Sequence, residues 1–76
     1  MKPSLGRIVI YHFGSDQAVN NGEADAPAVI VRVYSDTCVN LRILCDGNAI
    51  LWKGSVQQGH SMDQWSWPVK IEEAKT

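Results

Sequence analysis

Residues 36–52, DTCVNLRILCDGNAILW, decide the fold. Two apolar-rich runs flank Asp46-Gly47-Asn48, and Asp-Gly supplies the positive φ angles that a tight hairpin turn needs. The stretch predicts a β-hairpin. Its first arm, residues 38–45, alternates Val39, Leu41, Ile43 and Cys45 against Cys38, Asn40, Arg42 and Leu44. Its second arm, residues 49–53, puts Trp52 in phase with Ile50, an expected core pair, before Gly54-Ser55 releases the chain. In a chain of 76 residues everything else must pack on or pair with this hairpin.

Working outward toward the N-terminus, residues 35–37 form a polar corner and residues 28–34 read as a strand. Pro27 stands where a strand can begin without donating a hydrogen bond. Val29, Val31 and Val33 are the expected core face, with Ile30, Arg32 and Tyr34 opposite. Residues 6–13 make the first strand, β-branched and aromatic, with Ile8, Ile10 and His12 on one face and Arg7, Val9, Tyr11 and Phe13 on the other. Between them residues 14–26, GSDQAVNNGEADA, form a long polar, acidic loop, either a solvated connection or a lid over one end. Toward the C-terminus, residues 56–64 lack strand alternation. Residues 65–70 read as a short fifth strand in which Pro68 marks an edge or a bulge, and residues 72–76 as a frayed tail.

No stretch repeats every 3.6 residues over three turns, so little helix is expected. Five short strands, a long loop after the first and a tight hairpin between the third and fourth give a single all-β domain over residues 1–76. The expected fold is a small five-stranded SH3-like barrel, partly open. An OB-like barrel is the rival, but it usually carries a helix where only Asp46-Gly47-Asn48 stands here.

Seven Lys and Arg against eight Asp and Glu give a net charge of −1, with the basic residues scattered singly. That pattern argues against duplex nucleic acid, whose binding depends on clustered cations. No apolar run reaches the roughly 18–20 residues of a membrane span, and residues 1–4 show no secretory leader, so no membrane partner and a cytoplasmic location are expected. A domain this small buries only about 60% of its unfolded surface, so association into a homo-oligomer is expected. Cys38 and Cys45, about 23 Å apart on one strand, read as free thiols. No CxxC or HxxxH spacing supports a metal, and no cofactor is expected.

The candidate binding residues are aromatic and basic. Trp65 and Trp67, spaced i, i+2, share a face of the last strand; one of them filling the core leaves the other to stack a nucleobase or anchor an interface. Tyr11, Arg32, Tyr34 and Arg42 form a second set if the strands pair as drawn, and rings interleaved with guanidinia suit a planar phosphate-bearing ligand. The same set is also an ordinary solvated sheet face. Asp36, Thr37 and Asn40 either cap the corner or join the site. No catalytic residue is assigned: His12 and His60 lie in no nucleophile motif, and neither a P-loop nor GxGxxG is present.

The chain resembles small proteins of tailed phages and prophages. Their pattern, Gly-Arg-Ile-Val-x-Tyr, Ala-Val-Ile-Val-x-Val, Asp-Thr-x-x-Asn-Leu, Asp-Gly, a Trp followed by Ser, and Trp-x-Trp-Pro, is matched by residues 6–11, 28–33, 36–41, 46–47, 52–55 and 65–68. The resemblance implies phage origin and action inside an infected bacterium, where small proteins of this kind are often host-takeover or counter-defence factors; with no catalytic motif, a non-enzymatic binding protein is expected. By class analogy it would sequester a small nucleotide-like signal; the alternative is a module that docks a host protein or virion component through its aromatic face.

Overall fold

A computed structural model describes residues 1–69. Its elements are β1 (Ile8–His12), a 3-10 helix (Gln17–Asn20), β2 (Asp25–Val33), β3 (Cys38–Leu44), β4 (Ile50–Gln58) and β5 (Gln64–Ser66). The strands follow one another around a closed barrel, β1-β2-β3-β4-β5, so the expected all-β SH3-like architecture is present. Where a partly open barrel is expected from the sequence, β5 completes the ring. It runs antiparallel to β1, with Tyr11 opposite Trp65, and parallel to the end of β4, with Gln57 opposite Gln64. This short strand covers Gln57 and Gln58 of β4 and residues 10–12 of β1. No helix among the described residues is long and apolar enough to cross a membrane.

The β3–β4 hairpin is where the sequence places it. Gly47 sits at φ 126°, a region that excludes most side chains, and the Cys45 N–H donates to the Ala49 carbonyl across the turn. The resulting register sets Ile43 opposite Leu51 and Leu44 opposite Ile50. Ile43 points inward, so Leu51 does too. Ile50 and Trp52 therefore face solvent, correcting their expected place in the core. The inward positions of β4 are Leu51, Lys53 and Val56, opposite Ile43, Leu41 and Val39. A lysine in that row hides the alternation; its stem lies along the interior while Nζ reaches Asp16 at 3.7 Å. The strand also continues through residues 56–58, because a bulge at Gly54-Ser55, with Ser55 at φ 54°, resets its phase instead of ending it.

The phase of β2 is likewise the reverse of the expected one. Ala26, Ala28 and Ile30 are buried, while Val31 and Val33 are exposed and Val29 is half-covered. The reason is volume. Trp65, Tyr11 and Phe13 fill the interior beside β1 and β5, and small residues are what fit against them. A register shift between Ile30 and Arg32 then turns the remainder of the strand. Pro27 lies opposite Ile10 of β1, beyond the last β2–β3 pair, so its missing N–H costs no ladder bond.

The 14–26 stretch is more ordered than a solvated connection. Asn20, fully buried, donates from Nδ2 to the carbonyls of Glu23 and Asp25, both at 3.0 Å. Its Oδ1 accepts the Asp46 N–H at 2.6 Å. Asn21 adds an exposed bond to the Asp46 carboxylate. The segment thus packs on the hairpin turn and braces it from outside, and Asp25 and Ala26 already belong to β2. The fifth strand is shorter than expected, ending at Ser66; residue 70 of that prediction and the tail 72–76 lie outside the described residues.

Candidate functional site

The register carries one set of side chains to the outer surface of β1–β4. Ile8 lies opposite Val29, Val29 opposite Arg42, and Arg42 opposite Trp52. Residues opposite one another in an antiparallel pair share a face, so these four make one row across four strands. Leu44 and Ile50 extend it toward the hairpin turn. Ile50 and Trp52 are 60% and 56% exposed, and Ile8 and Leu44 are also open to solvent. The result is a row of apolar side chains that follows the curved outer wall of the barrel, with one guanidinium within it. Arg42 has no salt-bridge partner among the described residues.

Trp52 is held flat by its own strand. A β-carbon at Gly54 would stand 2.7 Å from Cη2 of the indole, inside contact distance, so the ring lies over the bare glycine. Only a residue without a side chain two positions on allows this pose.

Arg32 and Tyr34 come together as expected: the guanidinium carbon sits 5.0 Å from the Tyr34 ring centroid, a cation–π distance. Asn40 Nδ2 donates to the Tyr34 hydroxyl at 3.3 Å, and its Oδ1 accepts the Ser55 N–H at 2.8 Å. Asn40 is thus a structural tie between the β2 end and the β4 bulge. Tyr11 does not join this set. It points inward, is buried, and donates its hydroxyl to Asp63 Oδ1 at 2.7 Å, which corrects its expected place beside Arg32 and Tyr34. Burial, and then the Asp63 carboxylate, push its phenol well above the ordinary tyrosine range.

The two closing tryptophans divide their roles. Trp65 is wholly buried and its indole N–H donates to the Thr37 carbonyl at 3.1 Å. Trp67 is half-buried, packs edge-on against Trp65 at 5.3 Å between ring centroids, and carries the Arg7 guanidinium over its ring at 5.2 Å. Trp65 is therefore core. Asp36 is exposed at the corner, 3.9 Å from Lys2 Nζ, a contact between two solvated chains that contributes little. Thr37 works through its carbonyl, which also accepts the Gln58 N–H.

A second constellation joins β1, β2 and β5. With Nδ1–H of His12 donating to Asp25 Oδ1 (2.9 Å), Nε2 accepts the Ser66 hydroxyl (2.8 Å). The connectivity is that of a serine–histidine–acid triad. The exposure is inverted: Ser66 is 6% exposed while the Asp25 side chain is 60% exposed, so the hydroxyl that would attack is the covered end. Geometrically it is a clasp across three strands, invisible in the sequence because its members lie 13 and 54 positions apart. Cys38 and Cys45 are free thiols, and burial pushes the Cys45 thiol up. Among the described residues no group of three or more ligating side chains is placed to hold a metal ion, and no enclosed pocket is present.

Fold and surface together define a small closed β-barrel with a row of exposed apolar side chains across β1–β4. Comparison with protein-family models, with curated proteins and with solved structures finds no match.

Proposed function

We propose that this chain is a non-enzymatic protein-interaction module that docks a partner polypeptide on the outer face of β1–β4. The observation that carries the reading is the row Ile8–Val29–Arg42–Trp52, continued by Leu44 and Ile50. Apart from Arg42, these are apolar side chains left outside the core cluster. An exposed indole among apolar side chains is the kind of anchor that dominates protein interfaces. The phage resemblance would place the partner among the proteins of the infected bacterium or the virion. The test compares the wild-type chain with a Trp52→Ala, Ile50→Ser variant as affinity bait in bacterial lysate. Both positions are solvent-facing, so the variant keeps its melting temperature within a few degrees. A stoichiometric partner recovered by the wild type and lost by the variant is the expected result; equal recovery, or none by either, contradicts the reading.

A second reading keeps the small nucleotide-like ligand. It rests on the Arg32–Tyr34 stack, where Tyr34 is 52% exposed and its ring can take a planar base while the guanidinium meets phosphate. A melting-temperature screen with cyclic nucleotides and ADP-ribose derivatives tests it; a shift abolished by Tyr34→Ala supports this reading, and no shift at high micromolar ligand removes it.

A further inference from the structure

The charge on the docking face points to what the partner must carry. Among the described residues, the strands of the barrel bear one carboxylate, Asp25, and that one is engaged by His12, four positions along β2 from Val29. The remaining described acids, Asp16, Glu23, Asp36, Asp46 and Asp63, stand in the connections between strands. The strip itself holds Arg42, flanked in register by Val29 and Trp52. Arg32, opposite Asn40, is the next outward cation, also without a salt bridge among the described residues. A guanidinium in the middle of an apolar face becomes desolvated when that face is covered, and without an acceptor it resists the covering. A second copy meeting face to face about a two-fold axis through the strip would bring Arg42 against its own counterpart, a like-charge contact.

Building on the docking reading above, we infer that the occupant is a polypeptide segment of another protein in which a single Asp or Glu is flanked by apolar side chains. Its carboxylate is bidentate to Arg42, and its apolar residues lie on Trp52 and Ile50 to one side and Val29 to the other. The three neighbouring strands that carry Val29, Arg42 and Trp52 lie about 4.8 Å apart, so the segment follows about 10 Å of the barrel wall. That is the length of about three extended residues or about two helical turns. A nucleic acid is disfavoured, because aliphatic side chains make up most of the surface and the cations are two.

The experiment uses the full chain and a library of 12-residue synthetic peptides with flanks of Leu, Ile, Phe and Trp around a central Glu, Gln or Lys, read by Trp52 fluorescence and calorimetry. The expected result is that the Glu series binds about tenfold or more tightly than the Gln series. In Arg42→Glu the preference should pass to the Lys series, and in Arg42→Gln it should vanish, with unchanged melting temperatures in both variants. Equal binding of all three series overturns the carboxylate inference while leaving a docking face intact. No binding by any series overturns both. Sedimentation that finds a dimer broken by Trp52→Ala assigns the face to a second copy, and Arg42-dependent binding of a 12-nucleotide poly-dT strand assigns it to nucleic acid; either result also overturns the inference.

Discussion

Replacing Asn20 with alanine tests how the long connection supports the barrel. The side chain is fully buried and makes three hydrogen bonds, to the carbonyls of Glu23 and Asp25 and from the N–H of Asp46. Each such bond contributes about 1 kcal/mol net, and each buried partner left unpaired costs about 1–3 kcal/mol. Some of the freed groups lie near the surface and regain water, which places the total at about 3 kcal/mol. A domain of this size has roughly 4–11 kcal/mol in all, so the loss is a large share of its stability. At about 4–8 °C per kcal/mol the melting temperature falls by about 12–24 °C. Urea unfolding followed by the emission of Trp65 gives the equilibrium value. Asn20→Asp should fare no better, since it keeps an acceptor for Asp46 but turns an oxygen toward two carbonyls. A change under about 0.5 kcal/mol for Asn20→Ala would falsify the claim that this segment braces the hairpin turn.

Three further outcomes follow from the same geometry. Tyr11 is held protonated in the fold, whereas an unfolded phenol ionises near pH 10. The unfolded state therefore releases its proton first, and stability is full below about pH 10 and falls as pH rises beyond it; pH-dependent urea melts should show this limb, and Tyr11→Phe should flatten it. Gly54→Ala should leave stability within about 1 kcal/mol, because the indole can swing away. It should nonetheless shift Trp52 emission and weaken partner binding; an unchanged spectrum means that the ring does not lie over Gly54. Ser66 should remain unlabelled by a fluorophosphonate probe in the folded protein, since its hydroxyl is the buried end of the clasp; stoichiometric labelling lost in His12→Ala would instead establish a nucleophile.

The sequence carried the parts of the fold that depend on local chemistry. Asp46-Gly47 announces the hairpin because few residues other than glycine reach φ 126°, and β3 alternates cleanly from Leu41 to Leu44, where its pairing with both neighbours is free of register shifts. The phases of β2 and β4 were not legible. In β2 three valines imitate a core face, and the true inward residues are small because distant rings have taken the space. In β4 a lysine occupies an inward position, and a bulge adds a residue that no pattern marks. Those two inversions determined the site. Trp52 came out of the expected core to become the exposed indole, while Tyr11 and Trp65, read as binding residues, went in. Arg32, Tyr34 and Arg42 lie on the outside as anticipated. The bracing role of Asn20 and the His12 clasp rest on contacts between segments far apart in the chain, which no local spacing encodes.

The central claim is that the outer face of β1–β4 is covered by another protein. The most direct measurement places the photo-crosslinking residue p-benzoylphenylalanine singly at Ile8, Leu44 and Ile50 on that face, and at Val19 and Met62 away from it, in chain expressed in bacterial cells and irradiated. The account predicts one discrete adduct band common to positions 8, 44 and 50 and missing from 19 and 62, diminished by Arg42→Glu. Adducts of equal yield at all five positions, or at 19 and 62 alone, would contradict it.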